Sequence, residues 1–232
     1  MQGISLGDRK LIAYHDHSDA NARARLVALA HETAVALVSD AGTPMVADPG
    51  YALVRDAAEA GVAVVPVPGA SSLLAALSVA GLPTDRFLFE GFLPPKAGAR
   101  DRQLADLARI PATLVFFEAP SRIGATLEAL AAGLGGDRAA AVCRELTKRH
   151  EQVVRAPLAE LASRIGEDIP AKGEFVIAVG PPERKAADPD MRDAALRDAL
   201  SRLSVRDAAR EVAEALDLPR KEVYQRALEL NA

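Results

Sequence analysis

The sequence predicts an α/β protein of two lobes with a cleft between them, followed by a small helical module. Three observations carry this. Short apolar runs alternate with helix-periodic segments over residues 34–92, and a second, tighter alternation follows Pro94-Pro95 as far as residue 179. A polar, proline-rich stretch at 181–189 then separates both series from a purely helical tail.

In order along the chain, Ala34 to Ser39 is a short apolar run bounded by turn residues and predicts a buried strand. Tyr51 to Ala60, closed by Gly61, has helical spacing. Val62 to Val67 predicts a second strand, Ser72 to Ala80 a helix, and Phe87 to Phe92 a third strand. The second series predicts a helix from Arg100 to Ala108, a strand Thr113 to Phe117, a helix Ser121 to Leu134 and a strand Ala139 to Arg144. It continues with a strand Gln152 to Ala156, a helix Leu158 to Ile165 and a strand Glu174 to Val179. Its strands lie closer together with fewer crossovers, which suggests a mixed sheet. In the tail, Met191 to Leu203 reads as one helix, Ser204 caps a second, and Pro219 opens a third, so a helix-turn-helix fits. The expected divisions are 1–92, 93–181, a linker 182–189 and a module 190–232.

Composition narrows the function. The chain has 232 residues, half of them apolar, and a formal net charge of -4, which argues against coating nucleic acid by bulk electrostatics. From Asp190 onward, 8 Arg and Lys face 9 Asp and Glu, which is not the basic face of a duplex DNA reader. No apolar run is long enough to span a bilayer and Met1 to Lys10 lacks the apolar core of a signal peptide, so a cytoplasmic location with no membrane partner is expected. The single cysteine, Cys143, sits in a strand-like run and reads as a small buried hydrophobe. His15-x-His17 has metal-pair spacing but no third ligand, so no metal is expected.

Five loops at predicted strand ends carry chemistry-bearing residues. Val38 to Gly50 ends an apolar run in two carboxylates, two prolines and two glycines. Asp40 would stand at the sheet edge, Gly42 would let a ligand approach the backbone, and the plainer reading of Asp48 is a helix cap. Pro66-Val67-Pro68-Gly69-Ala70-Ser71-Ser72 opens a helix whose amides can receive a carboxylate or a hydroxyl, and taken alone it is an N-cap. The others are Phe116 to Arg122, Arg144 to Lys148 and Lys172-Gly173-Glu174. Five such loops in one chain point to a small-molecule cleft.

Asp-Ala-Gly-Thr-Pro with Asp-Pro-Gly, then Pro-Gly-Ala-Ser, Phe-Phe-Glu-Ala-Pro-Ser-Arg, Arg-Glu-Leu-Thr-Lys and Lys-Gly-Glu-Phe, in this order, resemble the tetrapyrrole-methylase-type (class III) S-adenosylmethionine-dependent methyltransferases. The likeness runs over nearly the whole chain, and the third and fourth motifs resemble the branch that acts on ribosomal RNA. It implies two αβα domains with S-adenosylmethionine in the cleft between them, a homodimer, no DNA partner, and methylation of a cytidine ribose 2′-hydroxyl in the decoding region of 16S rRNA. Carried over by residue, Asp40, Ala41, Gly42, Thr43, Pro44, Pro68, Gly69, Ala70 and Ser71 are expected to bind the cofactor. Glu118 or Glu145 is expected to orient or deprotonate the hydroxyl. Arg122 and Lys148 are expected to hold flanking phosphates, with Arg144, Lys96 and Arg100 as further RNA contacts.

Family members begin with an apolar strand, a Thr-Pro-Ile-Gly-Asn-Leu-type loop, a helix and a second strand before the pattern found here. Met1 to Gly7 enters the pattern after those elements, so an N-terminal domain without its first strand, with impaired folding and weak cofactor binding, is expected. Two further readings stay open: an RNA-docking chain without catalysis, and a methyltransferase acting on a tetrapyrrole.

Overall fold

The computed structural model describes residues 7, 10–15, 19–40, 42–183, 189–216 and 218–231. They fall into two units, residues 1–182 and 183–232, each with its own core.

The first unit is built on one mixed sheet. Its strands are β1 (Phe87–Phe92), β2 (Thr113–Glu118), β3 (Ala139–Arg144), β4 (Gln152–Pro157) and β5 (Phe175–Val179), in the order β1-β2-β5-β3-β4. β1 runs parallel to β2, whereas β5 is antiparallel to both neighbours and β4 is antiparallel to β3. Every residue of β5 is buried, as a continuous apolar run requires when both sheet faces are covered. The period-2 alternation divides the side chains between two layers. Leu114, Phe116, Val142, Ile177 and Val179 meet α4 (Ala97–Leu107), α5 (Ile123–Leu134) and α6 (Leu158–Arg164) through Leu104, Leu107, Leu127, Leu130, Leu158 and Leu161. Val115, Ala141, Cys143, Val176 and Ala178 face the other way, against Ala76, Leu77 and Ala80 of α3 (Ser72–Ala80). Gly133 explains how closely α4 lies on α5: a Cβ there would come within 2.9 Å of Leu104.

α3 ends at Gly81, in the left-handed conformation that favours glycine (φ 71°). The Arg155 guanidinium of β4 donates to the carbonyl of Val79, a cation on the negative end of the helix. Before it, α1 (Ala20–Glu32) is capped by the Asp19 carboxylate accepting from the Ala22 amide at 2.7 Å, and Arg23 reaches Asp56 of α2 (Tyr51–Glu59) at 2.6 Å.

Two expectations fail here. The runs 34–39 and 62–67 carry no ladder, and Val35, Val38, Val64, Val65 and Val67 are exposed. An apolar run becomes a strand only beside another strand, and none of the described residues pairs with these. Asp48 does not cap α2. Its N-cap residue is Gly50, which makes no side-chain cap bond. The remaining elements differ from expectation by at most three residues at an end; α4 starts at Ala97, ahead of Arg100, because the Lys96 carbonyl already accepts from the Ala99 and Arg100 amides.

The second unit packs α7 (Pro189–Leu200), α8 (Val205–Ala215) and α9 (Arg220–Leu230) around Leu196, Ala208, Ala209, Val212, Val223 and Ala227. Ser204 caps α8 by accepting from the Asp207 amide while its hydroxyl donates to the Asp207 carboxylate. Asp193 of α7 is buried and is gripped by Arg226 of α9 and by Arg192. Hydrogen bonds from Arg226, seconded by Arg192, hold its carboxyl at about 2 against the opposing effect of burial.

Because that carboxyl titrates below its ordinary value of 3.8, its stabilising effect is complete above that value and is lost as pH falls through about 2. The helical melt of the module is therefore expected to weaken between pH 4 and 2, and Asp193→Asn to melt lower at pH 7 while losing that dependence. In the sheet unit, Leu127→Ala is expected to cost about 2–5 kcal/mol in denaturant titrations followed by circular dichroism.

Candidate active-site cleft

Because β5 is antiparallel, its first residue lies beside the last residues of both neighbours: Phe175 is in register with Glu118 of β2 and with Arg144 of β3. The loops 118–122, 144–148 and 172–174 therefore emerge at one sheet edge. A cavity of about 330 Å³ opens there. Its floor is Phe117, Cys143, Phe175 and Val176, with Phe92 from the end of β1. Its walls are Gly42, Thr43, Val46, Ala47 and Asp48 from the first loop, Ser71 and Ser72 from the start of α3, and Glu118, Leu146 and Glu174. All five loops singled out in the sequence contribute.

Of the residues expected to bind a cofactor, Gly42, Thr43 and Ser71 line the cavity. Asp40, Pro44, Pro68, Gly69 and Ala70 do not line it, and Ala41 lies outside the described residues. The loops 38–50 and 66–72 are tied together: the Thr43 hydroxyl donates to the Ala70 carbonyl at 3.0 Å. Gly42 has φ 73°, and a Cβ there would stand 3.6 Å from the same carbonyl. Ser71 precedes α3 without a side-chain cap bond, so the first amides of that helix remain open for an acceptor in the cavity.

Glu118 faces the cavity, yet its oxygens already have partners. One accepts from the Ala119 amide at 2.7 Å and the other from the Thr126 hydroxyl at 2.6 Å. Arg122 stands 3.4 Å from the second oxygen and also donates to the Leu93 carbonyl at 2.8 Å, which fastens the Leu93-Pro94-Pro95 segment to this corner. Glu145 is not a lining residue. Its carboxylate accepts from Lys148 at 3.1 Å and from the Glu174 amide at 2.9 Å, and these two contacts, Lys148 first, lower its pKa. Lys148 also pairs with Glu174 at 3.0 Å, and Glu174 and Glu145 together raise its pKa. Arg144 donates to the carbonyls of Lys172 and His150. Lys96 precedes α4 as an exposed residue, and the Nε of Arg100 is buried without a hydrogen-bond partner.

Backbone strain gathers on the same rim. Met45, Ala47, Glu145 and Thr147 are the described non-glycine residues with positive φ, and all four lie in two of these loops. Burial pushes the Cys143 thiol up to about 11, which disarms it as a nucleophile. No group of three or more potential metal ligands exists among the described residues, and His17 lies outside them. Sequence reasoning missed Phe92, Phe117, Leu146 and Val176 as lining residues, because apolar cavity walls and apolar core look alike in a sequence. Asp48 and Glu174 were readable by their position at strand-end loops.

Residues 7–162 match the family of Tetrapyrrole (Corrin/Porphyrin) Methylases, and residues 185–231 match the RsmI C-terminal HTH domain. A protein of Mesorhizobium japonicum named ribosomal RNA small subunit methyltransferase I is 45% identical over 96% of this chain and 76% of its own length. Its namesake from Erythrobacter litoralis is 48% identical over 98% and 79%. Among solved structures, the methyltransferase CobJ aligns with a TM-score of 0.51 at 21% identity, over 68% of this chain and 70% of its own. Diphthine synthase aligns at 0.50 and 20%, over 69% and 65%. At such identities the two structures attest the fold alone.

A Cβ on Gly173 would fall 2.6 Å from the Glu145 side chain, on a backbone with φ 93°. Gly173→Ala is therefore expected to expel that carboxylate and cost about 1–3 kcal/mol in thermal or denaturant melts. In a Glu145→Ala background the same change is expected to cost less, which a double-mutant cycle reads directly.

Proposed function

The chain belongs to the tetrapyrrole methylase family, and on that premise we propose that it is an S-adenosylmethionine-dependent methyltransferase acting on small-subunit ribosomal RNA. The observation that carries the reading is the convergence of all five loops on one cavity whose chemistry suits the cofactor. Phe92, Phe117, Leu146 and Val176 offer apolar surface for a nucleobase, the open amides at Ser71 and Ser72 offer donors for a carboxylate or hydroxyl, and Asp48 and Glu174 offer acceptors for an ammonium. The close relatives carry the small-subunit RNA methyltransferase name over three quarters of their length. The bound cofactor would supply an electrophilic methyl group on a sulfonium.

The finer assignment, a cytidine 2′-hydroxyl in the decoding region of 16S rRNA, rests on the resemblance of Phe116 to Arg122 and Arg144 to Lys148 to the ribosomal branch. A ribose hydroxyl has to be oriented in a dry pocket and give up its proton. Glu118 lines the cavity and accepts from two internal donors, so its role is to orient, by accepting the hydroxyl on a remaining lone pair. Glu145, with one carboxylate oxygen bound by Lys148 and the Glu174 amide, acts from behind the lining by holding the 144–148 and 172–174 loops in position. Phosphate contacts fall to Lys96 and Arg100, with Arg144 and Lys148 contributing charge at the rim; Arg122 holds the Leu93 corner in place. A homodimer completes the proposal.

A second reading, a chain that docks on ribosomal RNA without methyl transfer, draws on one observation. The segments 34–39 and 62–67 that lead into the first two cofactor loops have no ladder to hold them.

Calorimetric titration with S-adenosylmethionine separates the two, since the enzyme saturates with the cofactor and labels small-subunit rRNA with its methyl group, whereas the docking chain does neither. Gly42→Val is expected to weaken cofactor binding about tenfold or more with unchanged circular dichroism. Glu118→Gln and Glu145→Gln should keep cofactor binding and slow transfer; undiminished transfer in both would remove these carboxylates from the chemistry.

A further inference from the structure

In the C-terminal module most of the acidic side chains among the described residues are engaged in ion pairs. Arg192, Arg202, Arg210 and Arg226 are joined in salt bridges to Asp193, Asp198, Asp207, Glu211 and Glu229. Arg197, Arg206, Arg220 and Lys221 form no salt bridge among the described residues, nor do Glu214 and Glu222; Asp190 is otherwise engaged, and Asp217 lies outside the described residues. The unpaired positive charge is densest in the first turn of α9, where Arg220 and Lys221 are adjacent and exposed. On the same helix Val223 and Ala227 are buried in the module core. Lys221, Tyr224, Gln225 and Leu228, spaced i, i+3, i+4 and i+7, share the outward face. Tyr224 and Leu228 are each 41% exposed there.

We infer that this α9 face is a docking surface for single-stranded RNA. The inference rests on the RNA-directed reading of the chain and goes beyond it by giving the helical module its own contact. A base stacks on the Tyr224 ring, Gln225 offers donor and acceptor to a base edge, and Lys221 and Arg220 take the adjoining phosphates. Charge complementarity favours a single strand over a duplex. A helix in a major groove meets phosphates along both flanks, and here Arg220 lies on one flank while Glu222 and Glu229 lie on the other.

The test is fluorescence anisotropy of the intact chain with an end-labelled, unstructured RNA of about 20 nucleotides, and with duplex DNA of the same sequence. Tyr224→Ala is expected to weaken RNA binding about tenfold, Tyr224→Phe to leave it unchanged, and Arg220→Gln with Lys221→Gln to flatten the salt dependence by about 0.7 per lost contact. All these residues are exposed, and an unchanged melting midpoint verifies the fold. RNA binding by these variants equal to that of the unaltered chain, no RNA binding by the unaltered chain, or tighter binding to the duplex would each overturn the inference. Cofactor titration and methyl transfer are measured in parallel. Intact transfer with indifferent α9 variants sinks the docking surface alone, while lost cofactor binding with a responsive Tyr224→Ala sinks the enzymatic reading alone.

Discussion

The antiparallel insertion of β5 between β2 and β3 is the constraint on which the cleft depends. In a wholly parallel sheet, the loop before a strand and the loop after its neighbour leave from opposite edges. Reversing one central strand brings its beginning next to its neighbours' ends, and the pairs Glu118 with Phe175 and Phe175 with Arg144 fix that meeting to the residue. The register is held because a slip of one residue would turn Val176 and Ala178 from the α3 side to the α5 side and exchange them with Ile177, Phe175 and Val179. Burial on both faces thus sets where the polar loops stand.

Given that meeting, polar bonds at the edge lock the loops. Glu145 enters through a left-handed backbone, and the space it fills exists because residue 173 has no side chain. Glu118 makes the corresponding knot on the other side, joining the end of β2 to Thr126 of α5 and, through Arg122, to Leu93. Each knot uses a carboxylate with several donors. A buried or half-buried acid of this kind is costly to leave without its partners.

Much of the sheet unit was legible because its strands are short apolar runs with clear punctuation: Ala139–Arg144 and the helix Ser72–Ala80 match the expected bounds to the residue. The runs 34–39 and 62–67 carry the same local signal and form no ladder, since pairing is a property of neighbours and a sequence window holds none. The five loops were legible from residue types at strand ends. Which side chain in a loop faces the cavity was not: Glu118 lines it, whereas Glu145 does not and is turned to Lys148 and the Glu174 amide. In the helical module the count of charges was legible, but which arginines pair with neighbouring carboxylates was not, since that depends on how the helices pack.

The cavity floor is not a surface laid over the core; Cys143 and Val176 belong to the cluster beneath α3, and Phe117 and Leu146 pack against it. Any change of shape that suited a different ligand would also disturb the packing that keeps α3 on the sheet. A substitution that changes the shape of the floor is therefore also a substitution in the sheet unit's core. Cavity and core share one layer of side chains, so the shape of the one and the stability of the other are set by the same residues.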